Sequence, residues 1–285
     1  MNKNVEKKIL IDPRAGFCGG VKRAIRLVEK SLHTEKEIFV RGELIHNQRE
    51  MLRLEKMGLK ISPEVESIPG GSMFIRTHGE TPEIYRRAVG KGLNIIDATC
   101  GNVRKSQRVI KDAAAQGRKI YIIGKKRHPE VIGLSGYCQG KGVVVESVVE
   151  ILKLTVENVP SLLIPQTTAH PDNFNKAVFA LKSKIDDLQV YNAVCPFVSK
   201  REEELREFAA SVEAIVFVGG KHSSNTAVLF AVCRRVNANA FFVDRPEELP
   251  ISELKQFRTI GISGSASTPM WQLKEIAKFM EKRWK

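Results

Sequence analysis

Two periodicities take turns along the chain. Short apolar runs of strand type stand at 9–11, 38–40, 72–75, 93–96, 120–123, 143–145, 161–164, 190–191, 215–218, 240–243 and 259–262. Between them, apolar residues three and four apart predict helices over 23–32, 48–57, 82–89, 103–115, 173–184, 200–210, 226–235 and 270–280. Gly58 stops the second helix, and Pro82, Pro171 and Pro269 stand where proline suits a first helical turn. Strands alternating with helices imply parallel sheets, with functional loops at the carboxyl ends of the strands.

The pattern repeats. Cys18-Gly-Gly-Val-Lys-Arg23 returns as Cys100-Gly-Asn-Val-Arg-Lys105 and as Cys195-Pro-Phe-Val-Ser-Lys200, each after a strand-like run and before a helical stretch. Twenty-four residues beyond each cysteine stand Gly42, Gly124 and Gly219; four further on stand His46, His128 and Ser223. A looser landmark closes each copy: an apolar run ending in hydroxyl or imidazole residues, at 74–78, 162–168 and 260–267. The expected fold is α/β: three tandem related units, 1–97, 98–192 and 193–285, in pseudo-threefold arrangement around a central site.

Composition adds limits. The 285 residues are 42% hydrophobic and 27% charged, enough for a sizeable core. No window approaches the roughly 18 apolar residues of a membrane span. Only Ile9-Leu-Ile11 follows the polar first eight residues, too short for a signal-peptide core, so a cytoplasmic location is expected. Lys and Arg outnumber Asp and Glu by 46 to 32, a net +14, yet the basic residues are scattered without a tract or nucleic-acid motif. They read as a solubilising surface, with neither nucleic acid nor membrane as partner. Five cysteines argue against a disulfide framework, and Cys138 and Cys233, outside the repeat, read as small buried hydrophobes.

A cysteine between a strand end and a helix start meets unpaired N–H groups and the positive end of the helix dipole, which favour its thiolate. Three such thiolates, Cys18, Cys100 and Cys195, suit zinc with an open position, or an iron–sulfur cluster with one iron lacking a protein ligand. With no Cys-x-x-Cys spacing, both readings stay open. His46, His78 and His128, with Ser223, Ser224, Asn225 and Ser267, form a receptor for a phosphate or diphosphate. Glu130, two residues after His128, is the carboxylate best placed to deliver a proton. Thr167 and Thr168 end an apolar run as substrate contacts. His33 and His170 read as surface residues, and His222 adjoins Ser223.

These motifs resemble the 4-hydroxy-3-methylbut-2-enyl diphosphate reductase family of the non-mevalonate isoprenoid pathway. The matching pieces are Ala15-Gly-Phe-Cys-Gly-Gly-Val-Lys22, Gly42-Glu-Leu-Ile-His-Asn47, Arg76-Thr-His-Gly79, Asp97-Ala-Thr-Cys100, His128-Pro-Glu-Val131, Gln166-Thr-Thr168, Ser223-Ser-Asn225 and Ser265-Ala-Ser-Thr-Pro269, in the family's order over nearly the whole chain. The resemblance implies a [4Fe-4S] cluster on Cys18, Cys100 and Cys195, with one iron left without a protein ligand to take the substrate's hydroxyl oxygen. Two electrons and two protons then remove that hydroxyl as water, giving isopentenyl and dimethylallyl diphosphates. It puts His46, His78, His128, Ser223, Ser224, Asn225 and Ser267 around the diphosphate. Glu130 becomes the proton source, and Thr167 holds the substrate hydroxyl. An external donor such as ferredoxin or flavodoxin is implied, since the chain has no second cysteine set and no nucleotide fingerprint.

Some positions depart from the family's usual pattern. Gly101-Asn-Val-Arg104 stands in place of Pro-Leu-Val-Thr, Pro196-Phe-Val-Ser199 replaces small and hydroxyl residues, and His222 stands where asparagine is common. These changes flank the ligands without replacing them, and bear on the cluster's surroundings and reduction potential. Three other classes make distinct predictions. A redox carrier has no need of Glu130 or Thr167, a zinc phosphohydrolase is colourless and needs no reductant, and a nucleic-acid-binding module shows steep salt dependence.

Overall fold

Among the described residues of the computed structural model every strand pairing is parallel, and the strands fall into three sheets of four. The structure describes residues 7–35, 37–220 and 224–283. Its strands are β1 (Lys8–Ile11), β2 (Ile38–Val40), β3 (Leu59–Ile61), β4 (Ser72–Ile75), β5 (Asn94–Asp97), β6 (Lys119–Ile123), β7 (Gly142–Val145), β8 (Ser161–Pro165), β9 (Leu188–Val190), β10 (Ala214–Val218), β11 (Ala240–Val243) and β12 (Thr259–Gly264). Its helices are α1 (Gly19–Thr34), α2 (Gln48–Lys56), α3 (Pro82–Gly90), α4 (Gly101–Ala115), α5 (Pro129–Ser135), α6 (Val148–Lys153), α7 (Pro171–Lys182), α8 (Pro196–Ala210), α9 (Ser224–Val236), α10 (Ile251–Leu254) and α11 (Met270–Arg283).

The sheet orders are β3-β2-β4-β5, β7-β6-β8-β9 and β1-β12-β10-β11. Read from the other edge, the last is β11-β10-β12-β1, so all three follow one plan: second strand, first, third, fourth. The fourth strand of the last sheet is the chain's own N-terminal strand, with Lys8 to Ile11 in register against Thr259 to Ile262. The unit drawn over 1–97 therefore loses its first strand to the C-terminal sheet. Apolar runs of equal character carry no partner information, and the habit of pairing neighbours in sequence points the wrong way here.

The chain divides into two compact bodies. One comprises residues 1–22, 45–56 and 200–285; the other, residues 23–44 and 57–199. The first contains the β1-β12-β10-β11 sheet. Val216, Val218, Ile260 and Ile262 on one face pack with Leu273, Ile276 and Met280 of α11, while Ile215 and Phe217 on the other meet Leu205 of α8 and Leu229 of α9. Strand side chains alternate between faces, so a sheet covered by helices on both faces needs these nearly continuous apolar runs. The second body contains the other two sheets. Ile120, Ile122, Leu162 and Ile164 pack with Ile110 of α4 and Val131 and Leu134 of α5. Tyr121, Ile123 and Leu163 face Phe174, Ala177 and Leu181 of α7. Met73 and Ile75 of β4 pack with Ile84 and Ala88 of α3. Among the described residues, no helix is long and apolar enough to cross a membrane.

Pattern reading missed β3, α5, α6 and α10. The three helices, of four to seven residues, are below the length at which a period declares itself, and Lys60 interrupts the apolar run of β3. Pro129 sits at the first turn of α5, and the His128 side chain caps it by accepting the Glu130 N–H. Glu130 thus lies in the first turn of a helix.

Candidate active site

In the second body, Cys100 and Cys195 each sit at a strand-to-helix turn, as the pattern requires. Cys100 is the N-cap of α4, its carbonyl accepting the Arg104 N–H at 2.9 Å. The Cys195 carbonyl accepts the N–H groups of Val198 (2.9 Å) and Ser199 (3.1 Å) in the first turn of α8. Each cysteine N–H is tied to a residue just beyond its sheet's third strand. Cys100 donates to the Thr77 carbonyl at 3.0 Å, and Cys195 to the Thr167 carbonyl at 2.8 Å. Cys18, in the first body, precedes α1 directly, and its sulfur accepts the Val21 N–H at 3.5 Å.

The structure adds a landmark that pattern reading did not use. Each cysteine turn opens with a short acid or amide folded back on its own backbone. Asp12 accepts the Arg14 N–H (2.9 Å), Asp97 the Thr99 N–H (2.8 Å) and Asn192 the Val194 N–H (3.0 Å). Asp12 also accepts from Arg201 at 2.7 Å and Ser263 at 2.9 Å, in a fully buried network. Asp97 accepts from the Tyr85 hydroxyl at 3.1 Å and pairs with Arg104 at 3.1 Å.

Thiol chemistry separates the cysteines as expected. Cys138 and Cys233 are buried among apolar side chains, which pushes their thiols up to about 11 and about 12. Cys18, Cys100 and Cys195 are partly exposed. The Cys195 sulfur also meets a polar hydrogen, from the Asn102 amide at 3.5 Å. Sulfurs at helix starts, with N–H groups aimed at two of them, fit the thiolate ligands of a metal group; two inert buried thiols do not.

Glu130 is the most informative residue. It is 2% exposed. One carboxylate oxygen accepts the Thr167 N–H at 2.6 Å, and the other accepts the Thr167 hydroxyl at 2.8 Å. Burial raises this carboxyl above its usual range, and the two Thr167 bonds pull it part of the way back. His128 Nδ1 accepts the Glu130 N–H at 3.1 Å, which puts the proton of a neutral ring on Nε2. The His78 and His128 rings meet edge to face, centroids 5.2 Å apart. Thr168 is exposed, its hydroxyl accepting from the Gln166 amide at 2.9 Å.

In the first body, His46 is exposed on a loop that lies against the end of β10: a Cβ added at Gly220 would stand 3.2 Å from the His46 carbonyl oxygen. The next residue, buried Asn47, caps α2 through the Glu50 N–H at 3.0 Å and exchanges two amide bonds with Gln272, at 3.0 and 2.9 Å. Ser267 is half-buried, within 2.9 Å of the Ser265 hydroxyl, which also accepts from Thr226 at 3.0 Å. Asn225 lies half-buried in the first turn of α9, which opens at Ser224. Ser223 and His222 lie outside the described residues. Asn47, Gln166 and Thr268 were not singled out as site residues; each stands beside one that was, and only its bonds distinguish it.

A family model described as LytB protein matches residues 9–281. The chain belongs to that family. Curated LytB relatives described as 4-hydroxy-3-methylbut-2-enyl diphosphate reductase span it almost completely. That of Clostridioides difficile (strain 630) is 35% identical over 279 residues, covering 96% of this chain and 99% of the relative. That of Bacteroides thetaiotaomicron is 37% identical over 278 residues, covering 94% and 96%. Solved LytB-type structures agree in fold. One, described as the terminal enzyme of the non-mevalonate pathway, superposes with a TM-score of 0.80 at 32% identity, covering 97% of this chain and 99% of its own. The Plasmodium falciparum reductase gives 0.84 at 28% identity, covering 96% and 88%.

Proposed function

We propose that the chain catalyses the reaction for which its relatives are named, reducing 4-hydroxy-3-methylbut-2-enyl diphosphate at its hydroxyl-bearing carbon. Two electrons and two protons break the C–O bond. One proton leaves with the oxygen in water and the other ends on carbon, giving isopentenyl or dimethylallyl diphosphate. The observation that carries this reading is a continuous chain of contacts. The buried Glu130 carboxyl is held by the Thr167 N–H and hydroxyl, and the Thr167 carbonyl holds the Cys195 N–H. A proton donor, a hydroxyl and a metal-binding turn are thereby fixed to one another, a coupling that a plain electron carrier does not need.

Cys18, Cys100 and Cys195 hold a [4Fe-4S] cluster, one iron of which has no protein ligand. When bound, this group supplies the electrons and a Lewis-acidic iron. His46, His78, His128, Asn225, Ser267, Ser223 and Ser224 bind the diphosphate, the imidazoles and amides donating to its oxygens. Glu130, kept toward its neutral form by burial, supplies the proton, and Thr167, bonded to it, orients the substrate hydroxyl. Thr168 borders the same loop. Electrons come from an external donor such as ferredoxin or flavodoxin, in the cytoplasm.

Anaerobic purification with iron, sulfide and zinc analysis tests this directly. Roughly four irons and four sulfides per chain, and turnover of the allylic alcohol diphosphate with a strong reductant, are expected. A colourless protein with one zinc and no sulfide after attempted reconstitution would overturn it.

A further inference from the structure

We infer that Asn102 raises the reduction potential of the group held by Cys195, by donating a side-chain N–H to its sulfur. The inference rests on the cluster reading of the three cysteines. Asn102 is the second residue of α4, two beyond the Cys100 cap, and its amide nitrogen lies 3.5 Å from Cys195 Sγ, 93 positions away in sequence. Both partners are held. The first turn of α4 fixes Asn102, whose carbonyl accepts the Ser106 hydroxyl at 3.2 Å. The Cys195 N–H is bonded to Thr167, and its carbonyl accepts from Val198 and Ser199. The N–H groups of the α8 first turn that reach Cys195 thus go to its oxygen, and the Asn102 amide supplies a donor to its sulfur.

A metal-bound thiolate sulfur only accepts, so the carboxamide must present its NH2 end. An N–H aimed at sulfur withdraws electron density from it and stabilises the more negative, reduced state more than the oxidised one. Hydrogen bonds to ligand sulfurs therefore raise the potential of an iron–sulfur group. The effect is weakly screened, because both side chains are partly buried. Cys18 offers the contrast. Its sulfur accepts the Val21 backbone N–H, a donor that almost any residue supplies. At Cys195 the donor is encoded by one side chain. Leucine has nearly the same shape and no N–H, so the position is a dial set by sequence.

The test uses anaerobically loaded protein with N102L, N102A and N102Q, all assayed for iron and sulfide. Midpoint potentials come from redox titrations followed by electron paramagnetic resonance. N102L and N102A are expected to shift the potential downward, with N102Q, which keeps an amide on a longer stem, lying between them and the unaltered chain. Pulsed resonance on the unaltered protein, labelled with 15N in asparagine side chains, should show a nitrogen coupling to the reduced cluster. This second reading holds even if a variant fails to load. Loaded N102L and N102A at the unaltered potential, or no nitrogen coupling, overturn the inference and leave the cluster reading standing. Unaltered protein without iron and sulfide overturns both.

Discussion

Burial favours the neutral form of the Glu130 carboxyl, whereas the Thr167 N–H and hydroxyl both favour its anion. The net direction is upward, so the proton-bearing form is present below the raised value and lost as pH rises through it. Activity that depends on this proton falls on the alkaline side of the profile. T167V removes one of the two donors to the anion, so the alkaline limb of kcat against pH should move to higher pH while kcat itself falls. E130Q should lower kcat by about 10²- to 10⁴-fold with iron content unchanged. A T167V limb that stayed in place, or moved to lower pH, would mean that some other group sets it. The sequence places Glu130 two residues after His128, which singles it out as a carboxylate beside a histidine. Nothing local to His128-Pro-Glu130 reveals burial, since that comes from the packing of α5 and from Thr167, 37 residues away.

At the scale of elements, the glycines 24 residues beyond each cysteine were legible as a repeat, and the structure gives them different local reasons. Gly42 has φ +67, in the left-handed region where a side chain is strained. A Cβ on Gly124 would stand 2.7 Å from Gln166 Cβ and 2.9 Å from Val131, and one on Gly219 would stand 2.6 Å from Thr226. G42A should cost about 1–2 kcal/mol through backbone strain. G124A should cost about 1–3 kcal/mol through overpacking. Thermal melts measure both losses. G124A should in addition lower kcat, because Gln166 precedes Thr167 directly; melts and activity equal to those of the unaltered chain would remove the packing argument. Although Asp97 opens one of the matching pieces, Asp12, Asp97 and Asn192 did not emerge as a landmark of the repeat, because they lie six, three and three positions before their cysteines. Fixed-offset counting catches only what the chain keeps at fixed offsets. Long helices such as α4 and α11 were legible because each sustains its period over 15 and 14 residues.

For the whole molecule, the plan of three like sheets was visible in the recurrence of cysteine, glycine and loop residues, whereas its closure was not. That β1 completes the last sheet follows from pairing with β12, more than 240 residues away, and no period in Lys8–Ile11 encodes a partner. Net charge, by contrast, is fully legible and acts at this scale alone. A chain of +14 carries a positive field felt by any partner that must dock to deliver electrons. An acidic protein donor should therefore associate faster than contact chemistry alone allows, and salt should slow it, because the screening length shrinks to about 8 Å at physiological ionic strength. At saturating diphosphate substrate and limiting donor, the second-order rate of donor oxidation should fall about tenfold or more from low to physiological salt, while kcat at saturating donor stays level. Separating the two quantities matters, since the anionic substrate is itself drawn by the same field. A donor rate indifferent to salt would assign the excess of Lys and Arg to solubility alone, and recognition of the donor would then rest on shape and apolar contact.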